Sequence, residues 1–319
     1  MLERAPLGRD LYALVEDYFR SSFATDNELI TEAVRRMLDA GGKRLRPRFT
    51  LLGASALGAV DVRAHLPLAA YMELIHVATL IHDDVVDGAE TRRGVNATAV
   101  DFGNRISVLA GDYLFAWIFK NVTAGYPAPI PHVLSATLAD ITDGEVLQLR
   151  ALGDLETTLA GYVEIATKKT ASLFAASAEC GALAAGGSPF AVRALREFGT
   201  AYGIAFQMRD DLLDLTADEA TLGKPVGNDL RERKMTVPLV LALADGDEGF
   251  RVDVERFFAG QSDAREDVAA VVAGIVAQGG LTKTEAVLAG YVERAKQSLA
   301  PLGTVPARTE LAALADALL

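Results

Sequence analysis

The chain has 319 residues, half of them hydrophobic, and a formal net charge of −12 at pH 7. This hydrophobicity excludes intrinsic disorder, and the acidic balance excludes the basic surface on which nucleic-acid binding depends. The single cysteine, Cys180, excludes an internal disulfide or a multi-cysteine metal site and fits a reducing compartment. The first ten residues carry charges and no long apolar run, so they do not predict a signal peptide. We therefore expect a cytoplasmic protein with a large core.

Abundant Ala, Leu, Glu and Arg predict an all-α chain. The predicted helical stretches are, in chain order, 7–40, 66–87, 106–123, 132–151, 155–185, 190–215, 238–244, 252–260, 264–278, 282–299 and 309–318. Glycine pairs at 41–42, 186–187 and 279–280 follow apolar runs, which is typical of helix C-caps. Thr236 before Val237-Pro238 predicts an N-cap with proline in the first turn. Since no linker interrupts these stretches, we expect one domain over residues 1–319.

The most apolar stretch, 66–86, contains Glu73, His76, His82, Asp83 and Asp84. A membrane-spanning helix needs about 20 residues that are almost free of charge. We therefore expect this stretch to be a buried helix rather than a membrane span.

Two copies of the pattern D-D-x-x-D each end a long apolar helical stretch. They consist of Asp83, Asp84 and Asp87, and of Asp210, Asp211 and Asp214. Side chains four residues apart lie on one face of a helix, so the carboxylates of each copy are close together. A single copy would be read as a solvated helix end, whereas two copies in matching contexts favour a metal site. Carboxylates without cysteine or clustered histidine favour Mg²⁺.

Basic residues occur near both acidic motifs. They are Lys43, Arg44 and Arg46 after the glycine pair 41–42, Arg92 and Arg93 after the first motif, Lys168 and Lys169 within an apolar helix, and Lys224 and Lys234 after the second motif. Taken singly, each would be read as a surface charge. Together with paired aspartates and loop glycines, they suit the binding of a diphosphate.

On these motifs the sequence resembles the trans-isoprenyl diphosphate synthases of the polyprenyl synthetase family. The motifs are GGKRLRP (41–47), DDVVDGAETRR (83–93), KKTASLF (168–174), FQMRDDLLD (206–214) and LGKPVGNDLRERKMTVP (222–238). The stretch around the first aspartates resembles the long-chain branch of the family. Arg233 departs from the family pattern, in which a glycine commonly precedes the motif lysine. We expect this departure to alter the loop near Lys234.

The resemblance implies an all-α bundle of the isoprenoid synthase type with a central apolar tunnel. It implies that isopentenyl diphosphate is condensed head to tail with an allylic diphosphate, with about three Mg²⁺ ions as cofactor. The implied metal ligands are Asp83, Asp84, Asp87, Asp210, Asp211 and Asp214. The implied allylic diphosphate ligands are Arg92, Lys169, Lys224 and Lys234, with Thr170 and Gln207 lining the same site. The implied isopentenyl diphosphate ligands are Lys43, Arg46, His76 and Arg93, and Arg44 lies in the same motif. Asp83, Asp84, Asp87, Arg92, Lys169, Asp210 and Lys224 would carry the catalytic step.

Product length is predicted from residues that precede the first motif. Thr79 and Ala78 lie four and five residues before Asp83, about 6–7.5 Å along the helix. In short-chain members of the family a bulky residue here closes the tunnel, whereas both residues are small in this chain. We therefore expect the tunnel to continue past Ile75 and Met72. Aromatic residues of the next helix either close the tunnel further from the aspartates or pack in the core. They are Tyr113, Phe115, Trp117 and Phe119.

The favoured product is longer than C20, in the range C30–C45. The enzymatic alternatives are a geranylgeranyl-type synthase and the catalytic subunit of a heteromeric synthase. A terpene cyclase would not need a second diphosphate site, and a regulatory subunit would lack intact aspartate motifs. The non-enzymatic alternative is a structural helical protein. The resemblance also implies a homodimer, and we expect transient membrane association when product is released.

Overall fold

The computed structural model describes residues 9–23, 25–59, 61–92, 94–217, 227–260 and 264–319, and it confirms the all-α class. The helices are α1 (Arg9–Ser22), α2 (Glu28–Asp39), α3 (Leu45–Ala56), α4 (Leu66–Val86), α5 (Thr98–Gly125), α6 (Pro129–Arg150), α7 (Leu159–Ala166), α8 (Ser172–Ala184), α9 (Pro189–Thr216), α10 (Asn228–Arg231), α11 (Val237–Ala244), α12 (Glu248–Gly260), α13 (Arg265–Ala277), α14 (Gly280–Ser298) and α15 (Pro306–Asp316). Short 3-10 turns cover Val62–His65 and Ala300–Leu302, and a π-helical turn, Thr167–Ala171, joins α7 to α8. An antiparallel hairpin, β1 (Thr91–Arg92) and β2 (Val95–Asn96), follows α4.

At the N-terminal end of the chain, one predicted stretch is wrong and one helix is missing from the prediction. The stretch 7–40 is divided because the side chain of Asn27 caps α2, accepting hydrogen bonds from the backbone nitrogens of Leu29 and Ile30 at 3.1 and 3.3 Å. Helix α3 was not predicted. Its buried residues surround the helix instead of forming one stripe, and such a helix has no amphipathic pattern to detect.

Predicted helix ends are largely confirmed. Gly41, Gly186 and Gly279 have φ values of 79°, 73° and 73°, the left-handed conformation expected of C-cap glycines. Helix α11 begins directly after Thr236 with Pro238 in its first turn, although the Thr236 side chain makes no capping hydrogen bond. The glycines thus mark the C-terminal ends of three helices, and Thr236 marks the N-terminal end of α11.

One compact unit comprises Met1–Ala136, Ala176–Arg196 and Leu299–Leu311. Its central element is α4, which packs against α1, α3 and α5. Within the described part of the chain, the stretch Val62–Val86 is the one that is long and apolar enough to span a membrane, but 61% of its most apolar window is buried. This burial fits the predicted core helix.

The other compact unit comprises Thr137–Ala175, Glu197–Ser298 and Ala312–Leu319. Its core includes Leu230, Leu239, Val254 and Ile275, and α11 packs against α7, α13 and α14. The rings of Phe174, Tyr202 and Phe206 are in mutual contact, with centroids 5.2–6.2 Å apart. A single domain spanning residues 1–319 stays a prediction.

Candidate active site

The first aspartate motif lies at the C-terminal end of α4, and its carboxylates differ in accessibility. Asp84 is fully buried, Asp83 is half-buried and Asp87 is exposed. The β1–β2 hairpin brings Arg92 to this motif, where its Nε and Nη2 donate to Oδ1 of Asp84 at 2.7 and 2.6 Å. Asp84 is thus held by the protein, whereas Asp83 and Asp87 present carboxylate surface to solvent. Arg93 lies outside the described residues.

Within the glycine-rich motif 41–47, Arg44 is buried, whereas the neighbouring cations Lys43 and Arg46 are more accessible. Arg44 has a left-handed φ of 47° and is buried, donating to Glu73 Oε1 at 3.0 Å and to the carbonyl of Leu38 at 2.8 Å, and it also pairs with Glu16. Lys43 is exposed and Arg46 is half-buried, and both remain candidate diphosphate ligands. Arg44 therefore anchors the motif inside the protein.

His76 is half-buried on α4, two turns before Asp83. It shares the Asp83 face of the helix because seven residues make almost two full turns. Its position fits the predicted role as a ligand, which stays a prediction.

The second aspartate motif lies near the C-terminal end of α9, and here two of the three carboxylates are buried. Asp211 accepts hydrogen bonds from the Val237 backbone nitrogen and from Gln207 Nε2, both at 3.0 Å. Asp214 Oδ2 accepts from the Asp229 backbone nitrogen at 3.1 Å. Burial, and secondly the charge of Asp229, raise the pKa of Asp211 to about 7. Asp211 and Asp214 thus hold the segment 227–237, while Asp210 is exposed.

The π-helical turn carries two predicted ligands, Lys169 and Thr170, and brings Thr170 into contact with the second motif. The hydroxyl of Thr170 donates to Gln207 Oε1 at 3.0 Å, and the amide nitrogen of Gln207 donates in turn to Asp211. Lys169 forms an ion pair with Glu145. A π-turn inside a helical segment frequently marks a functional site, because it redirects the side chains that it carries.

Lys234 follows a residue with an unusual backbone. Arg233 has a φ of 56°, which glycine adopts at little cost and other residues rarely adopt. Its carbonyl accepts a hydrogen bond from the Gly153 nitrogen at 2.8 Å. Lys234 pairs with Glu232 at 2.5 Å. Lys224 lies outside the described residues.

The residues predicted to set product length lie on the buried part of α4. Ala78 and Ile75 are fully buried, and Thr79 is half-buried with its hydroxyl donating to the His76 carbonyl at 2.9 Å. On α5, Trp117 packs edge-on against Tyr71 and Phe23, at centroid distances of 5.7 and 5.4 Å. These contacts support core packing as one role of the α5 aromatics.

Three acidic residues that contact the predicted site were missed from the sequence. They are Glu16 and Glu73, which pair with Arg44, and Glu145, which pairs with Lys169. The sequence carried a signal for Glu73, a charged residue inside an otherwise apolar run. Glu16 and Glu145 lie among other charged residues and carried no such signal.

Mg²⁺ fits the donor chemistry of the accessible aspartates. Among the described residues, no group of three or more His, Cys, Asp or Glu is assembled to hold a metal ion. Mg²⁺ does not need such a group, because it binds through one or two carboxylates and completes its shell with water and substrate phosphate. Asp83, Asp87 and Asp210, which are not buried, meet that requirement.

Comparison with known proteins identifies the class. The polyprenyl synthetase family model matches residues 27–275. The chain is 41% identical to the octaprenyl diphosphate synthase of Escherichia coli over 222 residues, covering 70% of this chain and 68% of that one. It is 38% identical to the geranylgeranyl diphosphate synthase of Methanosarcina mazei over 297 residues, covering 92% and 90%.

A solved structure gives the same result for the fold. The polyprenyl synthase of Caulobacter crescentus, crystallised with calcium and isoprenyl diphosphate, superimposes with a TM-score of 0.89 at 38% identity, covering 96% of this chain and 92% of that one. The fold and motifs thus define a prenyltransferase with the all-α isoprenoid synthase fold. The chain belongs to the polyprenyl synthetase family and is a trans-polyprenyl diphosphate synthase.

Proposed function

We propose that the protein is a Mg²⁺-dependent synthase that extends an allylic diphosphate with isopentenyl diphosphate to an all-trans product longer than C20, with C30–C45 favoured. One observation carries the proposal: each aspartate motif ends a long helix with at least one accessible carboxylate, and each lies with a predicted diphosphate ligand in the same unit. That ligand is Arg92 for the first motif and Lys169 for the second.

Asp83, Asp87 and Asp210 are the accessible residues that would hold Mg²⁺, and Asp84, Asp211 and Asp214 are the remaining predicted ligands. When bound, the metal neutralises negative charge on the leaving diphosphate. Calcium in the related Caulobacter structure supports a divalent cation in this family. The number of ions, about three, rests on the family resemblance.

Two different sets of side chains bind the two anionic substrates. Arg92, Lys169, Lys224 and Lys234 bind the allylic diphosphate, and Thr170 and Gln207 line that site. Lys43, Arg46, His76 and Arg93 bind isopentenyl diphosphate. Holding the two substrates head to tail replaces an encounter in solution with a positioned reaction.

The cationic side chains act most strongly in the transition state. As the allylic C–O bond breaks, negative charge develops on the diphosphate, and fixed cations stabilise it. The double bond of isopentenyl diphosphate attacks the allyl cation, and the proton then lost passes to the released diphosphate. Apolar helix faces exclude water, which would otherwise trap the cation.

The reaction is tested with purified protein, labelled isopentenyl diphosphate and farnesyl diphosphate, in MgCl₂ or in EDTA. We expect labelled polyprenyl product and released diphosphate in MgCl₂ alone, and reversed-phase sizing of the dephosphorylated product gives its length. If no Mg²⁺-dependent diphosphate is released, either by this chain alone or together with a co-purifying second polypeptide, the structural helical protein is favoured. A C20 product supports the geranylgeranyl-type alternative, to which the Methanosarcina relative belongs by name.

Product length is tested on α4. We expect Ala78→Phe to shorten the product, because the ring would block a tunnel that runs along this face. Ala78 is fully buried, so overpacking can unfold this variant. Thr79→Tyr, at a half-buried position, is therefore made in parallel. Unchanged product length in a folded Ala78→Phe protein contradicts the tunnel.

We also propose a cytoplasmic homodimer with transient membrane association when the apolar product leaves. Light scattering of the purified protein, together with its activity, tests the assembly. An active dimer of this chain supports the proposal. A chain that is inactive alone, and gains activity with a co-purifying second polypeptide, is instead the catalytic half of a heteromer.

A further inference from the structure

Two consecutive residues of α6 hold Lys169 from the same side. The Lys169 ammonium pairs with the Glu145 carboxylate, and the two side chains are only 20% and 14% exposed. The preceding residue, Gly144, contacts the Lys169 backbone, where a Cβ would lie 2.9 Å from the Lys169 Cα and closer still to its nitrogen. Helix α6 therefore contacts both the backbone of Lys169 and its ammonium group.

The π-helical turn is also in close contact with α9. A Cβ on Gly203 would lie 2.7 Å from the Cβ of Ala171 in this turn, and one on Gly199 would lie 2.6 Å from the Cα of Ala175 in the following helix, α8. A π-turn is wider than an α-turn, because it carries more residues per turn. Glycines on both neighbouring helices leave the room that this wider turn occupies.

We propose that Gly144 and Glu145 are positioning residues that fix the Lys169 ammonium for the allylic diphosphate. The inference rests on the proposed role of Lys169 in binding that substrate. Lysine has a flexible four-carbon stem, and its freedom is lost when it binds an anion. An ion pair with Glu145 restricts the stem before the substrate arrives, so less freedom is lost on binding. Gly144 fixes the point from which the stem begins.

The first test compares steady-state kinetics of Gly144→Ala and Glu145→Gln with the wild type. We expect the KM for the allylic diphosphate to rise about tenfold in each, since a misplacement near 1 Å is costly in such a site. The KM for isopentenyl diphosphate should stay within about twofold, which a general loss of structure would not allow. A similar rise in both KM values, or a change in kcat alone, overturns the inference.

Two controls match these variants. Gly290→Ala makes the same change on α14 at an exposed glycine with no atom within 4 Å of the added Cβ. Asp143→Asn removes the neighbouring carboxylate, which pairs with Lys168 at 3.4 Å and is 67% exposed. Both should retain the wild-type KM values. If Gly144→Ala does not fold, Glu145→Gln carries the test alone.

A double-mutant cycle shows whether Glu145 acts through Lys169. In a Lys169→Met background, Glu145→Gln should change the KM for the allylic diphosphate by less than about twofold. An equal change in both backgrounds, or a lower KM in Glu145→Gln alone, overturns the inference. If Lys169→Met raises this KM but neither α6 variant does, the inference fails while the proposed function stands. If Lys169→Met leaves it unchanged, the proposed role of Lys169 fails, and the inference fails with it.

Discussion

Arg92 donates two hydrogen bonds to one oxygen of Asp84, at 2.7 and 2.6 Å, and this carboxylate is fully buried. The other two aspartates of the motif face solvent at least partly. Asp84 therefore links the hairpin to α4, whereas Asp83 and Asp87 are accessible to a cation.

We expect Asp84→Asn to lower the free energy of unfolding by about 1.5–3 kcal/mol, because it replaces the charged acceptor of two hydrogen bonds from Arg92 at a fully buried position. Asp87→Asn is the matched change at an exposed position, and should alter stability by less than about 0.5 kcal/mol. Urea denaturation measures both. Equal stability of the two variants would show that the Arg92 pair does not anchor the hairpin.

Arg44 provides a second test, because it is buried among carboxylates. Arg44→Met should destabilise the protein by about 3–5 kcal/mol, since the Glu73 carboxylate would be left buried without its cation. Adding Glu73→Met should restore part of that loss. Lys43→Ala, at the exposed neighbouring position, should leave the melting temperature unchanged and raise the KM for isopentenyl diphosphate. A raised KM without loss of stability in Arg44→Met would instead make Arg44 a ligand.

The contact between α4 and α5 predicts an effect of one added methyl group. His82, next to Asp83, packs against Gly111, and a Cβ on Gly111 would overlap the imidazole ring. Gly111→Ala should therefore cost about 1–3 kcal/mol of stability and reduce activity by displacing the start of the aspartate motif. Gly125→Ala, in the same helix with no atom within 4 Å, is the control and should not destabilise. Thermal unfolding and turnover distinguish the two.

The left-handed Arg233 predicts a stabilising change. Glycine at this position removes a conformational cost of about 1–2 kcal/mol from the folded state. It also lowers the free energy of unfolding by about 0.4–1 kcal/mol, because glycine increases the conformational entropy of the unfolded chain. Arg233→Gly should therefore stabilise the protein by about 0.5–1 kcal/mol. Arg231→Gly, in helix α10, should destabilise it by about 1 kcal/mol. A lower melting temperature for Arg233→Gly would show that contacts of the arginine outweigh its strain.

The long helices could be predicted because an apolar run with glycine caps is a local signal. The hairpin at Thr91–Asn96 could not, because its strands have two residues each and no alternation to read. The sequence also could not show which aspartates of each motif are buried and which are exposed, and the reason is a different one. The partners of Asp211 and Asp214 are backbone nitrogens of Val237 and Asp229, 26 and 15 residues away, and only the fold brings them together.

The same limit applies to Lys169. The sequence showed that charged residues interrupt an apolar helix, and this is where the π-turn occurs. The identity of its counter-ion depends on the packing of α6 against that turn, which no local pattern records.

The π-turn also bears on which changes in length the chain accepts. A π-turn within a helical segment carries one residue more than the α-helical turn that would otherwise stand there. Deleting one residue between Thr167 and Ala171 would therefore give a continuous α-helix, and Phe174, in contact with Tyr202 and Phe206, would stay in the core together with Tyr162. Such a deletion should preserve the fold but redirect the side chains of Lys169 and Thr170, so the loss should be one of activity rather than of stability.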